Sequence, residues 1–202
     1  MIGLAAGANG QPFTYSLDDG SMEAMLSVVP RMTVLNQFVI REQDRTINEI
    51  NIVWQNRDGY AAQVVLWRDP NNDGLPHDAE VVRRVDTISS SNRSWAGVTY
   101  RFEDAEFEIG DVFYVGVYMS RTTQGNVIFG WAPIDLSRNH QKSWVSFGDD
   151  VNDLSSAERL DVRYPRLKGA FLIRAGGGAV PEPATLLALA GGLAAFAARR
   201  RR

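Results

Sequence analysis

The 202-residue chain has no cysteine and only two histidines. Without thiols it has no disulfide, no thiolate nucleophile and no zinc–thiolate centre. His77 and His140 lie far apart, with neither a His-x-x-x-His nor a Glu-x-x-His spacing to hold zinc. There is no Gly-x-Ser-x-Gly elbow and no glycine-rich phosphate loop ahead of a helix, so no enzyme signature stands out. Basic charge is also scarce. The chain carries 21 Lys and Arg against 24 Asp and Glu, and four of the 21 occupy the last four positions, leaving 17 against 24 elsewhere. Nucleic acid is a poor partner for such a body, because phosphate binding needs a concentrated basic face. Helical periodicity is rare as well.

What is present is period two. Val98, Tyr100 and Phe102 alternate with Thr99, Arg101 and Glu103, the pattern of a strand with one wet face. Ile50, Ile52 and Trp54 alternate in the same way. The run 112–119 is apolar on both faces, as a central covered strand would be. Further strands are expected over 12–17, 33–40, 60–68, 79–87, 126–131, 143–147 and 167–174, separated by Asn, Asp, Gly, Ser and Pro clusters. Short helical turns are expected at 21–26 and 153–159. About ten short strands at this spacing predict an all-β, antiparallel two-sheet sandwich with jelly-roll-like topology, plus a C-terminal hydrophobic helix.

The division that follows has four parts. Residues 1–9 read as the remnant of a signal peptide, since Ala6-Gly7-Ala8 has the small-x-small spacing of a cleavage site; a longer leader is expected upstream. Residues 10–175 form the sandwich, 176–180 a Gly-rich linker and 181–202 a tail. In the tail, Val180, Pro181, Glu182 and Pro183 precede an uncharged stretch, 184–198, which ends in Arg199, Arg200, Arg201 and Arg202. As a helix that stretch is about 22 Å long, short against a bilayer core of about 30 Å. Snorkelling arginines extend its reach and hold that end on the cytoplasmic side. The other readings are an ordinary permanent anchor and a surface-bound tail.

This three-part tail resembles the PEP-CTERM sorting signal of exported bacterial proteins. The resemblance implies an exosortase-type processing protease as partner and transient anchoring in the inner membrane. Cell-surface or extracellular release would follow. A second resemblance covers most of 18–174. It rests on Ser16-Leu17-Asp18-Asp19-Gly20, Val65-Leu66-Trp67, the run from Gly110 to Val117, Ser143-Trp144 and Phe171-Leu172-Ile173-Arg174. It is similar to jelly-roll, carbohydrate-binding-like ectodomains.

The best-spaced constellation is Asp69-x-Asn71-x-Asp73-Gly74, with Glu80 at the twelfth position. Calcium takes six to eight hard oxygens, and alternate residues of a tight loop can aim them inward. Asp69, Asn71, Asp73, the Leu75 carbonyl and Glu80 are the candidate ligands, with Asp78 as an alternate. The competing reading is a plain turn held by side-chain-to-backbone bonds. Asp149, Asp150 and Asp153 read as a solvated loop, as do Glu103, Asp104, Glu106 and Glu108 at a strand end. Trp95 and Trp144 follow polar stretches and are the pair expected to be exposed for stacking on sugar rings, whereas Trp54, Trp67 and Trp131 fall in strands and are expected in the core.

Three functions compete. The first is a noncatalytic structural or adhesive component of the envelope or exopolysaccharide matrix. The second is a carbohydrate-binding module, with calcium as its possible cofactor. The third is a glycan-active enzyme.

Overall fold

A computed structural model describes residues 15–41, 45–55, 60–88, 97–120 and 130–177, with only the backbone of residues 130 and 131. Its strands are β1 (Ala24–Val28), β2 (Met32–Val39), β3 (Thr46–Ile52), β4 (Ala61–Arg68), β5 (Glu80–Ile88), β6 (Val98–Glu106), β7 (Val112–Met119), β8 (Gly130–Asp135), β9 (Ser143–Phe147), β10 (Glu158–Arg159), β11 (Ala170–Phe171) and β12 (Ile173–Gly176). A 3-10 turn, Pro76–Asp78, and one helical turn, α1 (Leu160–Arg163), complete the described elements.

The strands form two layers. One is a six-stranded antiparallel sheet in the order β10-β9-β2-β7-β4-β5. The other combines β1-β8-β11 with β12-β3-β6. These two pieces are joined at Leu172, whose N–H donates to the Pro133 carbonyl at 3.2 Å while its carbonyl accepts from Val53 N–H at 3.1 Å. The last stretch of chain therefore links the two pieces, with β11 pairing with β8 and β12 with β3. At the far side Arg83 of β5 reaches the Glu103 and Asp104 carbonyls of β6 at 3.2 and 2.9 Å, which ties one layer to the other.

Alternation decides what each face does. Val34, Phe38, Val64, Leu66, Phe113, Val115, Val117, Met119 and Val145 point inward to a core shared with Leu26, Ile50, Ile52, Ile134, Phe171 and Ile173 of the opposite layer. The alternate residues of the same strands, Leu35, Val65, Trp67, Tyr114, Tyr118 and Trp144, make a second core on the outer face. Val151, Leu154 and Ala157 cover it from the loop after β9. A sheet buried on both faces explains why 112–119 is apolar throughout. Gly116 sits in the middle of it because a Cβ there would lie 2.2 Å from the Val34 carbonyl.

Several expectations need correcting. Residues 21–26 are not helical; β1 pairs Ala24–Val28 with β8, and tertiary pairing overrides local propensity. The helical turn falls at Leu160–Arg163, after the expected 153–159. Of the strand expected at 126–131, residues 126–129 lie outside the described residues and 130–131 open β8, which continues to Asp135; the strand expected at 167–174 starts at Ala170 and breaks at Leu172. Of 12–17, Tyr15 makes a single bridge to Ala175. The expected Gly-rich linker begins inside β12, since Gly176 pairs with Glu49. A Cβ on Gly177 would fall 1.8 Å from the Thr46 carbonyl, so glycine there serves close approach. Among the described residues no helix is long and apolar enough to cross a membrane; the expected hydrophobic helix at 184–198 and the residues 1–9 lie outside the described residues.

Candidate functional site

The loop from Asp69 to Glu80 follows β4 directly, and its turns are made by two residues in left-handed backbone, Asn72 at φ 57° and Gly74 at φ 79°. Asp69 is 1% exposed. Its Oδ1 accepts from the N–H groups of Asn71 (3.2 Å) and Asn72 (2.9 Å), and its Oδ2 accepts from Gly74 N–H (2.8 Å) and the Tyr114 hydroxyl (3.4 Å). Asn71 Oδ1 accepts from Asp73 N–H at 2.8 Å, and its amide donates to Asp73 at 3.2 Å and Asp78 at 2.8 Å. Asn72 Oδ1 in turn caps the Val112 N–H at 2.8 Å, fastening the loop to β7.

Carboxylate oxygens of Asp69, Asp73 and Asp78 come within 4.8 Å of one another. Such an all-oxygen set suits a hard cation rather than zinc. Glu80 is not part of that trio: it opens β5 opposite Arg68, and Asp78 stands in the group instead. Leu75 leads into the 3-10 turn, and its N–H donates to Asp73 Oδ1 at 2.7 Å. The Tyr114 phenol is pushed well above its ordinary range, first by burial and then by the negative charges of Asp69 and Asp73.

Trp144 corrects an expectation. It is 7% exposed and packs in the outer core, so it offers no ring face to a sugar. The polar residues ahead of it misled because its cover comes from the distant loop 148–157. Trp95 lies outside the described residues. Trp54 and Trp67 are buried as expected, their indoles donating to the Tyr100 hydroxyl at 2.9 Å and the Val151 carbonyl at 3.1 Å. Asp149, Asp150 and Asp153 are exposed. The Asp153 carboxyl is held below its usual range by hydrogen bonds from Ser155.

Two groupings carry no local motif. The buried side chain of Asp18 takes the Arg174 guanidinium through both oxygens, with Nε at 3.0 and 3.1 Å. The second is basic: Arg138 and Lys142 precede β9, while Arg159, Arg163, Arg166 and Lys168 follow it, and folding brings the two stretches together. Arg159 donates to Gln141 at 3.0 Å and Asn139 to Asp161 at 3.4 Å. The only hint in the sequence is that Lys142 and Lys168 are its two lysines.

The class the fold defines is a β-sandwich-like domain. Residues 179–202 match the family model of the PEP-CTERM protein-sorting motif. The motif indicates an exosortase-targeted, exported protein with a membrane-anchored tail before processing. No match was found among curated proteins or among solved structures. The motif residues Val180, Pro181, Glu182 and Pro183 and the arginines 199–202 lie outside the described residues.

Proposed function

We propose that the protein is a noncatalytic structural or adhesive component of the cell envelope or exopolysaccharide matrix. The observation that carries this reading is where the sorting tail is attached. The tail follows β12, a strand hydrogen-bonded to β3 along one side and, through Tyr15, to the N-terminal segment on the other. A pull on the tail along the strand axis is borne together by the four β12–β3 residue pairs and the Tyr15 bridge. The Asp18–Arg174 pair adds a buried clamp to the same strand. The strand order supports the finer, jelly-roll reading of the fold. β1, β8, β3 and β6 share one layer and β2, β7, β4 and β5 the other, so spatial neighbours come from distant parts of the chain, as in doubled Greek keys.

Mass spectrometry of the chain from the producing bacterium tests this reading. The expected product ends near Val180–Pro183 and fractionates with the envelope or matrix. A soluble cytoplasmic chain still ending in Arg202 overturns it, and so does release of reducing sugar that a single carboxylate substitution abolishes.

A second reading, a calcium-dependent domain, is favoured by the convergence of Asp69, Asp73 and Asp78. A cation that binds only the folded state raises apparent stability. Millimolar calcium, but not magnesium, is expected to raise the melting temperature, and Asp73→Asn to remove the rise. No shift with calcium discards the metal and leaves a hydrogen-bonded turn.

A further inference from the structure

The basic residues beside β9 set one part of the body apart from the rest. Residues 136–142 and 158–168 hold six basic side chains, Arg138, Lys142, Arg159, Arg163, Arg166 and Lys168, against two acidic ones, Glu158 and Asp161. The chain up to residue 198 has 17 basic against 24 acidic residues, so the remainder is strongly acidic and the basic side stands out against it. Not all six cations are free. Arg159 pairs with Asp161 at 3.2 Å, and Arg163 meets Glu158 at 3.5 Å, a half-exposed contact that an incoming carboxylate can displace at little cost. Arg138, Lys142, Arg166 and Lys168 are exposed and take part in no ion pair among the described residues.

Shape adds to charge. Arg163, Tyr164, Pro165, Arg166 and Leu167 line an open concavity that combines two exposed arginines with a half-buried tyrosine. Guanidinium groups form paired, parallel hydrogen bonds to carboxylates. An aromatic ring with apolar neighbours offers the CH face of a sugar a surface to rest on. Arg163 also lies over the Phe147 ring at 5.6 Å, so its planar group is held rather than swinging freely.

The surface is also set apart from the point where the chain leaves for its tail. The concavity lies just ahead of Ala170, and the chain leaves for its tail after Gly176. Six extended residues span about 20 Å, so the basic side and the tethered end occupy opposite ends of one strand. We propose that this surface, centred on Arg163, Tyr164 and Arg166, binds an acidic polysaccharide through its carboxylates. The proposal rests on the export reading above and supplies the ligand class of the adhesive role.

The test uses the full chain in neutral detergent, with polygalacturonate as probe and dextran, duplex DNA and phosphatidylglycerol vesicles for comparison. Polygalacturonate is expected to bind and dextran not, with affinity falling as salt is raised. The triple variant Arg163→Gln, Arg166→Gln, Lys168→Gln should weaken binding at least tenfold at an unchanged melting temperature. Replacing Arg199 to Arg202 with Gln should leave binding intact, which separates the surface from the basic tail. Retention that survives the triple variant, or that disappears with the tail arginines, overturns the proposal. Equal or stronger binding to DNA or vesicles overturns it too, in favour of a general polyanion or membrane surface. Tyr164→Ala, with every charge kept, should weaken polygalacturonate binding several-fold; an unchanged affinity removes the sugar-facing role. The mature C-terminus, measured in the same strain, decides the export reading independently of all these outcomes.

Discussion

Two acidic loops of similar composition end up with opposite roles. The loop Asp69 to Glu80 turns inward: its first carboxylate is buried and takes four hydrogen bonds, three of them from the loop's own backbone. The loop 148–157 keeps Asp149, Asp150 and Asp153 in solvent and turns its apolar residues inward instead. Val151, Leu154 and Ala157 recur every third residue, which puts all three on one side of a turning chain. The acids are therefore a poor guide to either loop. What separates them is whether apolar residues are interleaved at a spacing that can cover a neighbouring sheet.

The comparison predicts different failures. The largest effect is expected at Trp67, wholly buried beneath the covering loop and bonded to it through the Val151 carbonyl. Trp67→Ala should cost about 3–5 kcal/mol, read as a lowered urea midpoint. A loss under about 1 kcal/mol would mean that the outer core does not bear on stability. Leu154→Ala, from the covering side, should cost about 2–4 kcal/mol. Because it loosens the cover without cutting the sheet, hydrogen exchange should rise over 148–157 and not in β7. Uniform exchange over the whole sheet would show that cover and sheet unfold as one unit.

How far the sequence already showed this differs by region. Period two revealed β6, whose wet face alternates, and β7, whose apolar run signals cover on both sides. It could not show what supplies that cover, because Val151 and Leu154 sit among Asp, Asn and Ser and have no strand or helix period of their own. The same blind spot explains Trp144: local polarity suggested exposure, and a distant loop buries it. The helical reading of 21–26 failed for a related reason, since Met22, Glu23 and Ala24 favour a helix only until β8 offers a partner strand. In the candidate loop, Asp69, Asn71, Asp73 and Gly74 were legible from spacing, and Gly74 does adopt left-handed backbone. The twelve-residue spacing points to Glu80 only where the chain after Gly74 curls back towards Asp69. Here a 3-10 turn and a strand follow, and Asp78 comes to the front. Pairs separated by most of the chain, such as Asp18 with Arg174, have no signature in sequence order.

Breaking the inward loop should cost less than breaking the outer core. Asp69→Asn keeps one acceptor oxygen but turns the other into an amide facing Gly74 N–H and the Tyr114 hydroxyl. About 2 kcal/mol should be lost, because a buried donor is left without its partner. The change should be largest in the loop and at the Val112 end of β7, where Asn72 caps the strand, and smaller in 148–157, which the loop meets where His77 Nε2 lies 2.9 Å from the Ala157 carbonyl. Chemical-shift changes in the loop 148–157 of comparable size would show that the two loops are coupled.

The smallest neutral-pH effect, about 1 kcal/mol, is expected for Tyr114→Phe, which deletes one long hydrogen bond. Its value lies in the pH dependence. Burial and the charges of Asp69, Asp73 and Asp78 raise the folded-state phenol above its ordinary value of about 10. Above that pH the unfolded chain releases the proton while the folded chain keeps it. The unfolded state then binds fewer protons, and stability must fall as pH rises. Below it both states are protonated and the linkage contributes no slope. Wild type should therefore lose stability steeply above about pH 10, with Tyr118, raised in the same direction, adding to the fall. Tyr114→Phe removes the larger share, so its urea midpoint should start lower at pH 7.5 and decline less towards pH 11. Parallel curves for the two proteins would place the alkaline transition elsewhere and leave the inward loop without its titrating group.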